Sequence, residues 1–201
     1  MIDIAALKKR LSEPLPGFHA QAKLMPMGRK IVADFDDLVP AAVMIILIKR
    51  GDKWTIPLIE RSHDDYAHSG QIALPGGRLD PNEGALEAAI RETEEEIGLK
   101  LELKNVLGPI SPLPIPVSNY LVQPFVSVFR GQPEYDIDTR EVAKVFEFDL
   151  DLLNNESTLK NKMMKFKFGE MSVPYYETNG YTVWGATAMI LSEFSAIIAE
   201  I

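Results

Sequence analysis

The chain has no cysteine and only three histidines, and no apolar stretch is long enough to cross a bilayer. Without cysteine, neither disulfides nor thiolate-bound metal can support the fold, so any metal must be held by oxygen or imidazole. With so few histidines, oxygen ligands are the expected choice. The apolar run PAAVMIILI at 40–48 falls far short of a membrane span. The opening MIDIAALKKRLSEPLPGF lacks the apolar core and small-residue cleavage site of a secretory signal. A cytoplasmic location with no membrane partner is therefore expected. Positive charge is also scarce: 21 basic residues stand against 29 acidic ones, a formal net charge of -8. That balance makes nucleic acid an unlikely partner. An acidic chain can still bind a phosphorylated small molecule if a metal ion or a few local arginines offset the repulsion.

With 201 residues, the chain can bury a substantial core. The apolar spacing of Ile2, Leu7 and Leu11 predicts a short amphipathic helix before Pro14, and the Pro- and Gly-rich stretch after it reads as an irregular lead-in. Two β-rich runs, 41–49 and 54–61, flank Gly51-Asp52 as a hairpin pattern, and the first is apolar enough to be buried on both faces. A short strand is expected at 71–74 inside a loop-like region. Further strands are expected at 101–107, 120–130 and 141–149, with a proline-rich loop at 111–119. A short helix at 149–155, a hairpin turning at Gly169-Glu170 and a final helix from Gly185 packed through Ala188, Leu191 and Phe194 complete the reading. The expected organisation is an N-terminal helix and irregular extension at 1–39, followed by one α/β domain at 40–201.

The strongest helix signal runs over 84–97, with Gly98 as its C-terminal stop. Leu86, Ala89, Ile90, Thr93 and Ile97 share its core-facing stripe. Glu92, Glu95 and Glu96 stand at i, i+3 and i+4, so they emerge as neighbours on another flank, while Glu94 points elsewhere. Like charges at that spacing destabilise an isolated helix by roughly 0.2 to 0.5 kcal/mol per pair. Such a run is commonly a solvated face. Coordination of a hard divalent cation, Mg²⁺ or Mn²⁺, would instead turn the repulsion into binding. Immediately upstream, Gly76 and Gly77 let the backbone come close to a ligand or metal.

The spacing Gly77, Glu83, Arg91-Glu92, Glu95-Glu96 and Gly98-Leu99 resembles the Nudix box, G-x5-E-x7-R-E-U-x-E-E-x-G-U with U a bulky apolar residue. Every fixed position is filled, and Thr93 replaces the commoner aliphatic residue. The resemblance implies a Nudix-type α/β/α sandwich around a mixed β-sheet, with the box as a catalytic loop-helix-loop. It implies Mg²⁺-dependent hydrolysis of a nucleoside diphosphate linked to another moiety, with Mn²⁺ as a substitute ion. Glu92, Glu95, Glu96 and the backbone of Gly76 would be metal ligands, and Glu95 or Glu96 would help deprotonate the water. Arg91 would brace the glutamates, and Glu83 would either pair with Arg91 or bind a metal through water. Some members take their base from a later loop, where Glu134, Asp136 and Glu141 are the acidic residues available. A homodimer is also common in the family.

Upstream, LIERSHDDYAHSGQIALPGG is similar to the accessory motif of coenzyme A pyrophosphatases, L-L-T-x-R-S-x3-R-x3-G-x3-F-P-G-G. Arg61, Ser62, Gly70 and Pro75 align with it, Tyr66 stands where the pattern has arginine, and Leu74 replaces phenylalanine. The T-x preceding the arginine is out of step. On this resemblance, coenzyme A or a derivative is the expected substrate, with Arg61, His68, Gln71, Gly76 and Gly77 as substrate contacts. ADP-ribose, nucleoside diphosphate sugars or nucleoside triphosphates are the alternative substrates, and a non-catalytic nucleotide-sensing module is the alternative function.

Overall fold

The computed structural model describes residues 2–27, 37–62, 70–166 and 169–201. His68 and Tyr66 lie outside the described residues. The N-terminal helix α1 (Ile4–Arg10) begins at Asp3, whose carboxylate accepts from the Ala5 and Ala6 N–H groups. The lead-in is not irregular, as expected from its prolines, but folds into α2 (Phe18–Gln21) and a 3-10 turn at Ala22–Leu24. Leu7, Leu11 and Leu24 are buried in the main core, so this segment is packed into the molecule. Met25 packs at the rim of that core, whereas Met27 is exposed.

The main sheet is built on β1 (Val39–Arg50), which runs parallel to β7 (Tyr120–Phe129) and antiparallel to β2 (Lys53–Arg61). Because both faces of β1 are covered, its apolar run is nearly unbroken. Ala42, Met44, Ile46 and Ile48 pack toward α3 (Ala85–Ile97), while Ile45 and Leu47 pack toward α4 (Gly185–Ile198). The result is a three-layer α/β/α sandwich on a mixed sheet. As expected, α4 packs through Ala188, Leu191 and Phe194, all fully buried. Among the described residues, no helix is long and apolar enough to cross a membrane.

The geometry that matters for the site is a fork in this sheet. β1 and β2 pair only where Ile48–Arg50 meet Lys53–Thr55, and beyond that point they diverge. Into the gap fit β3 (Ile72–Ala73) on β2 and β4 (Gly76–Arg78) on β1. Sequence pattern does not mark β4, since two glycines have little strand propensity.

Several local expectations change. The strand expected at 101–107 starts only at Val106, because Leu103–Asn105 form a 3-10 turn; β5 is Val106–Pro109. The proline-rich loop contains a short strand, β6 (Leu113–Ile115), paired to β7. β8 (Val142–Asp149) lies along β2, and a 3-10 helix at Leu150–Asn154 takes the place of the short helix expected there. β9 (Leu159–Phe166), β10 (Gly169–Thr178) and β11 (Tyr181–Trp184) form a second, antiparallel sheet. Gly169 pairs with Phe166, so Gly169 and Glu170 begin a strand and do not make the turn.

Candidate active site

α3 is the element that carries the acidic cluster. Gly84 is its N-cap, with the Glu87 carboxylate accepting from Gly84 N–H at 2.9 Å, close to the helix start expected at 84. It ends at Gly98, whose φ of 72° places it in the left-handed region. The buried face is Ala88, Ala89, Thr93, Glu96 and Ile97, with Leu86 and Ile90 at its margin. Thr93 tolerates an apolar position because its hydroxyl donates to the Ala89 carbonyl at 2.7 Å.

Glu96 is only 2 % exposed, and its Oε2 accepts from Gly76 N–H at 2.8 Å. Among the described residues, the other oxygen, Oε1, is buried with no hydrogen-bond partner. Burial drives the Glu96 carboxyl up to about 8, against the lowering influence of Arg61 and the Gly76 N–H; the Glu92 and Glu141 charges add to the rise. Glu92 lies against Gly77, where a Cβ would fall 2.3 Å from its carboxyl carbon. Burial also raises the Glu92 carboxyl. Gly76 has a φ of 147°, and a Cβ there would strike the Ala42 carbonyl at 2.2 Å, which makes Gly76 a steric requirement.

Arg91 is the hub of the acidic flank. Its guanidinium grips Glu83 bidentately at 2.8 and 2.9 Å, reaches Glu92 and Glu95 at 2.9 Å each, and donates to the Arg78 carbonyl at 3.0 Å. Those bonds hold the Glu83 carboxyl down at about 2. Glu83 is thus a partner of Arg91, the first of the two roles open to it. Glu95 is more than half exposed and turns its carboxylate to Arg91, and Glu94 turns outward to Lys100 at 3.3 Å. Among the described residues, no three His, Asp or Glu side chains gather into a metal cage. The structure brings Glu92 and Glu96 to the Gly76-Gly77 backbone and leaves Glu95 on the outer side of the helix.

Arg61 reaches the same place from β2. A bulge between Glu60 and Arg61 shifts the pairing with β8, and the Arg61 guanidinium donates to the Gly76 carbonyl at 3.3 Å and lies 3.7 Å from Glu96 Oε1. Gln71 sits just before β3, its carbonyl accepting from Arg61 N–H at 3.0 Å. Of the later acidic residues, Glu141 is the one whose charge acts on both Glu92 and Glu96. Asp136 instead packs against Gly98 at the far end of α3, and Glu134 is exposed. Sequence spacing could not separate these three, because the turn before β8 sets which one faces the box. The residue that sequence reasoning passed over is Arg78, which lies over the Tyr120 ring at 5.1 Å and donates to its hydroxyl. Trp184 stands at the entry to α4, beside Phe166.

Hard oxygen donors on a buried carboxylate with one unsatisfied atom, next to a second carboxylate and a backbone carbonyl, suit a small divalent cation. A three-layer sandwich with such a loop-helix-loop at a fork in the sheet is the architecture that the resemblance to the Nudix box implies. The NUDIX domain family matches residues 38–167. The chain is 32% identical over 156 residues to an uncharacterized Nudix hydrolase, NudL, of Photorhabdus laumondii, covering 77% of this chain and 82% of that protein. It is 28% identical over 180 residues to Nudix hydrolase 3 of Caenorhabditis elegans, covering 82% of this chain and 75% of that protein. Its fold is similar to the Nudix hydrolase RenU of M. smegmatis, with a TM-score of 0.54, 14% identity and coverage of 89% of this chain and 94% of that one. The chain belongs to the Nudix hydrolase family. Its substrates are accordingly nucleoside diphosphates linked to a further group, and a divalent ion such as Mg²⁺ is required by enzymes of this kind.

Proposed function

We propose that this protein hydrolyses the diphosphate bond of coenzyme A or its derivatives in the presence of Mg²⁺, releasing a phosphopantetheine fragment and adenosine 3',5'-bisphosphate. The observation that carries the reading is the position of Arg61. This arginine comes from the stretch that resembles the coenzyme A accessory motif, and its guanidinium lies 3.7 Å from the buried Glu96 of the box. Sequence similarity thereby becomes proximity between a phosphate-compatible cation and the carboxylate that would hold the ion.

Glu96, Glu92 and the Gly76 carbonyl would hold the ion, with Glu95 joining on leaving Arg91. When bound, the ion neutralises diphosphate charge and acidifies a water. Arg91 keeps the acidic flank in register, and the two glycines keep the backbone close to the carboxylates. Glu95, Glu96 and Glu141 are the carboxylates able to take the proton of the attacking water. Water adds to one phosphorus, the bridging P–O bond breaks, and each product leaves as a phosphate monoester. Arg61, Gln71, Gly77 and His68 would line the substrate side. A location in the cytoplasm and a homodimer belong to the same proposal.

The decisive experiment is a mass-spectrometric product screen with Mg²⁺ over coenzyme A, ADP-ribose, diphosphate sugars and nucleoside triphosphates. Adenosine 3',5'-bisphosphate from coenzyme A, at the highest kcat/KM of the set, is the expected result. Preference for another substrate would remove the coenzyme A reading. The most informative comparison within the set is ADP-ribose, because Tyr66 stands where the accessory pattern has a second arginine.

A further inference from the structure

The turn that leads into β8 is fastened to the site at both ends. At one end it serves α3. The last carbonyls of a helix have no partner within it, and here Asp136 N–H donates to the Ile97 carbonyl and Asp138 N–H to the Glu96 carbonyl, each at 3.2 Å. At the other end the turn meets Ser62, the residue that follows Arg61 and β2. Ser62 N–H donates to the Glu141 carbonyl at 2.9 Å, and the Ser62 hydroxyl donates to the Arg140 carbonyl at 2.7 Å. Opposed residues at a hydrogen-bonded position of an antiparallel ladder exchange two bonds. Glu141 N–H instead turns back to the Asp138 carbonyl at 3.0 Å, so its backbone returns nothing to Ser62. The hydroxyl supplies the second tie. Glu141 is exposed, and among the described residues its carboxylate accepts no hydrogen bond and forms no ion pair. Two backbone links, through Asp138, join it to Glu96, and its charge acts on both Glu92 and Glu96.

We propose that Ser62 is a positioning residue for the hydrolysis: its hydroxyl and N–H hold the turn so that the Glu141 carboxylate stays beside the box glutamates, and its effect on turnover is exerted through Glu141. The inference rests on the reading in which Glu141 is one of the carboxylates that serve the attacking water, and it is independent of which diphosphate is cleaved. Arg61 and Ser62 then divide the end of β2 between them. Arg61 turns to Glu96 and the Gly76 carbonyl, and Ser62 turns to the segment that carries Glu141. A long side chain at an exposed position has no packing of its own to fix it, so the backbone beneath must be held. A misplacement of about 1 Å at a reacting group can cost on the order of a hundredfold in rate.

The test is a double-mutant cycle of Ser62→Ala and Glu141→Gln, read as kcat on whichever diphosphate wild type cleaves best, with melting temperatures measured alongside. Glu141→Gln is expected to lose about a hundredfold in kcat, and Ser62→Ala about tenfold with KM little changed. The double variant should lose no more than Glu141→Gln alone, because a residue that acts through another has nothing left to contribute once that other is gone. Ser62→Thr, which keeps a hydroxyl, should recover most of the wild-type kcat. Losses that multiply in the double variant, or an unimpaired Ser62→Ala, overturn the positioning role. Full turnover by Glu141→Gln removes its premise and the proposal with it, while leaving the hydrolase and its substrate reading intact. Amide hydrogen exchange gives a second readout without substrate or ion. In Ser62→Ala the Glu141 and Val142 amides should exchange about tenfold faster, as for the loss of one hydrogen bond, with the α3 amides unchanged. Unchanged exchange in the turn would show that Ser62 does not hold it.

Discussion

At Glu96, one residue combines burial, a fixed hydrogen bond from Gly76 N–H and an oxygen with no partner among the described residues. Glu96→Gln is expected to lower kcat by about a thousandfold or more, because one ligand of a catalytic ion supplies several kcal/mol of transition-state stabilisation. Turnover within tenfold of wild type would exclude Glu96 from the ion site. Gly77 offers a subtler test. Its added Cβ would lie 2.3 to 2.5 Å from the Glu92 carboxylate, which must then swing aside, while the backbone itself tolerates alanine. Gly77→Ala should cost about a hundredfold in kcat, with the melting temperature nearly unchanged. Equal loss of stability and activity would mean that the glycine serves folding and not the site. Glu83 sets an acid limb. Its folded carboxyl is lowered from 4.5 to about 2 by Arg91, so it contributes stability above about pH 4.5 that is lost as the pH falls toward 2. The difference in melting temperature between wild type and Glu83→Gln should shrink between pH 5 and pH 3; a constant difference would contradict the pairing. The grouping of these residues was readable from spacing, but the unsatisfied atom on Glu96 was not, since it depends on where the Gly76 backbone lies.

At the scale of elements, α3 sits where Gly98 stops it. Its φ is positive, and a Cβ there would lie 2.9 Å from the Asp136 backbone nitrogen, so glycine is the residue that fits. Gly98→Ala should destabilise the protein by about 2 kcal/mol, measured by denaturant titration, and an unchanged midpoint would show that the helix end can rearrange freely. The periodicity of 84–97 identified this helix because a continuous local pattern specifies it. β4 escaped notice because its three residues are Gly76, Gly77 and Arg78, and only the gap between β1 and β2 makes them a strand. The same holds for Arg61: strand alternation sets its side, but the bulge that aims it is a property of the pairing with β8.

At the scale of the whole molecule, the N-terminal segment and the last helix are joined through a buried carboxylate. Glu193 on α4 is fully buried and accepts from Gln21 Nε2 at 2.7 Å and from Gly17 N–H at 3.0 Å, while the Ser192 hydroxyl donates to the Ala20 carbonyl at 2.8 Å. Glu193→Ala leaves these donors unpaired and should cost roughly 2 kcal/mol or more, in one cooperative transition seen alike by circular dichroism and fluorescence. Two separated transitions would mean that residues 1–27 unfold independently of the sandwich. In the sequence the extension was visible as an amphipathic helix, yet its partner 172 residues away from Gln21 was not. Contacts of that separation depend on the packing of whole layers, and no local pattern encodes them.

By itself the sequence determined the β1–β2 hairpin, the acidic helix with its glycine stop, the buried final helix and the family-like spacing of the box, because each is a local pattern of period, cap or fixed interval. Tertiary structure alone decided that Glu92 and Glu96 meet the glycine backbone while Glu95 turns to Arg91, that Glu141 and not Asp136 bears on the carboxylates, and that Arg61 stands at the Gly76 carbonyl. Those outcomes arise where diverging strands open the sheet and bring residues from separate elements to one point. That is a geometric fact of the closed fold.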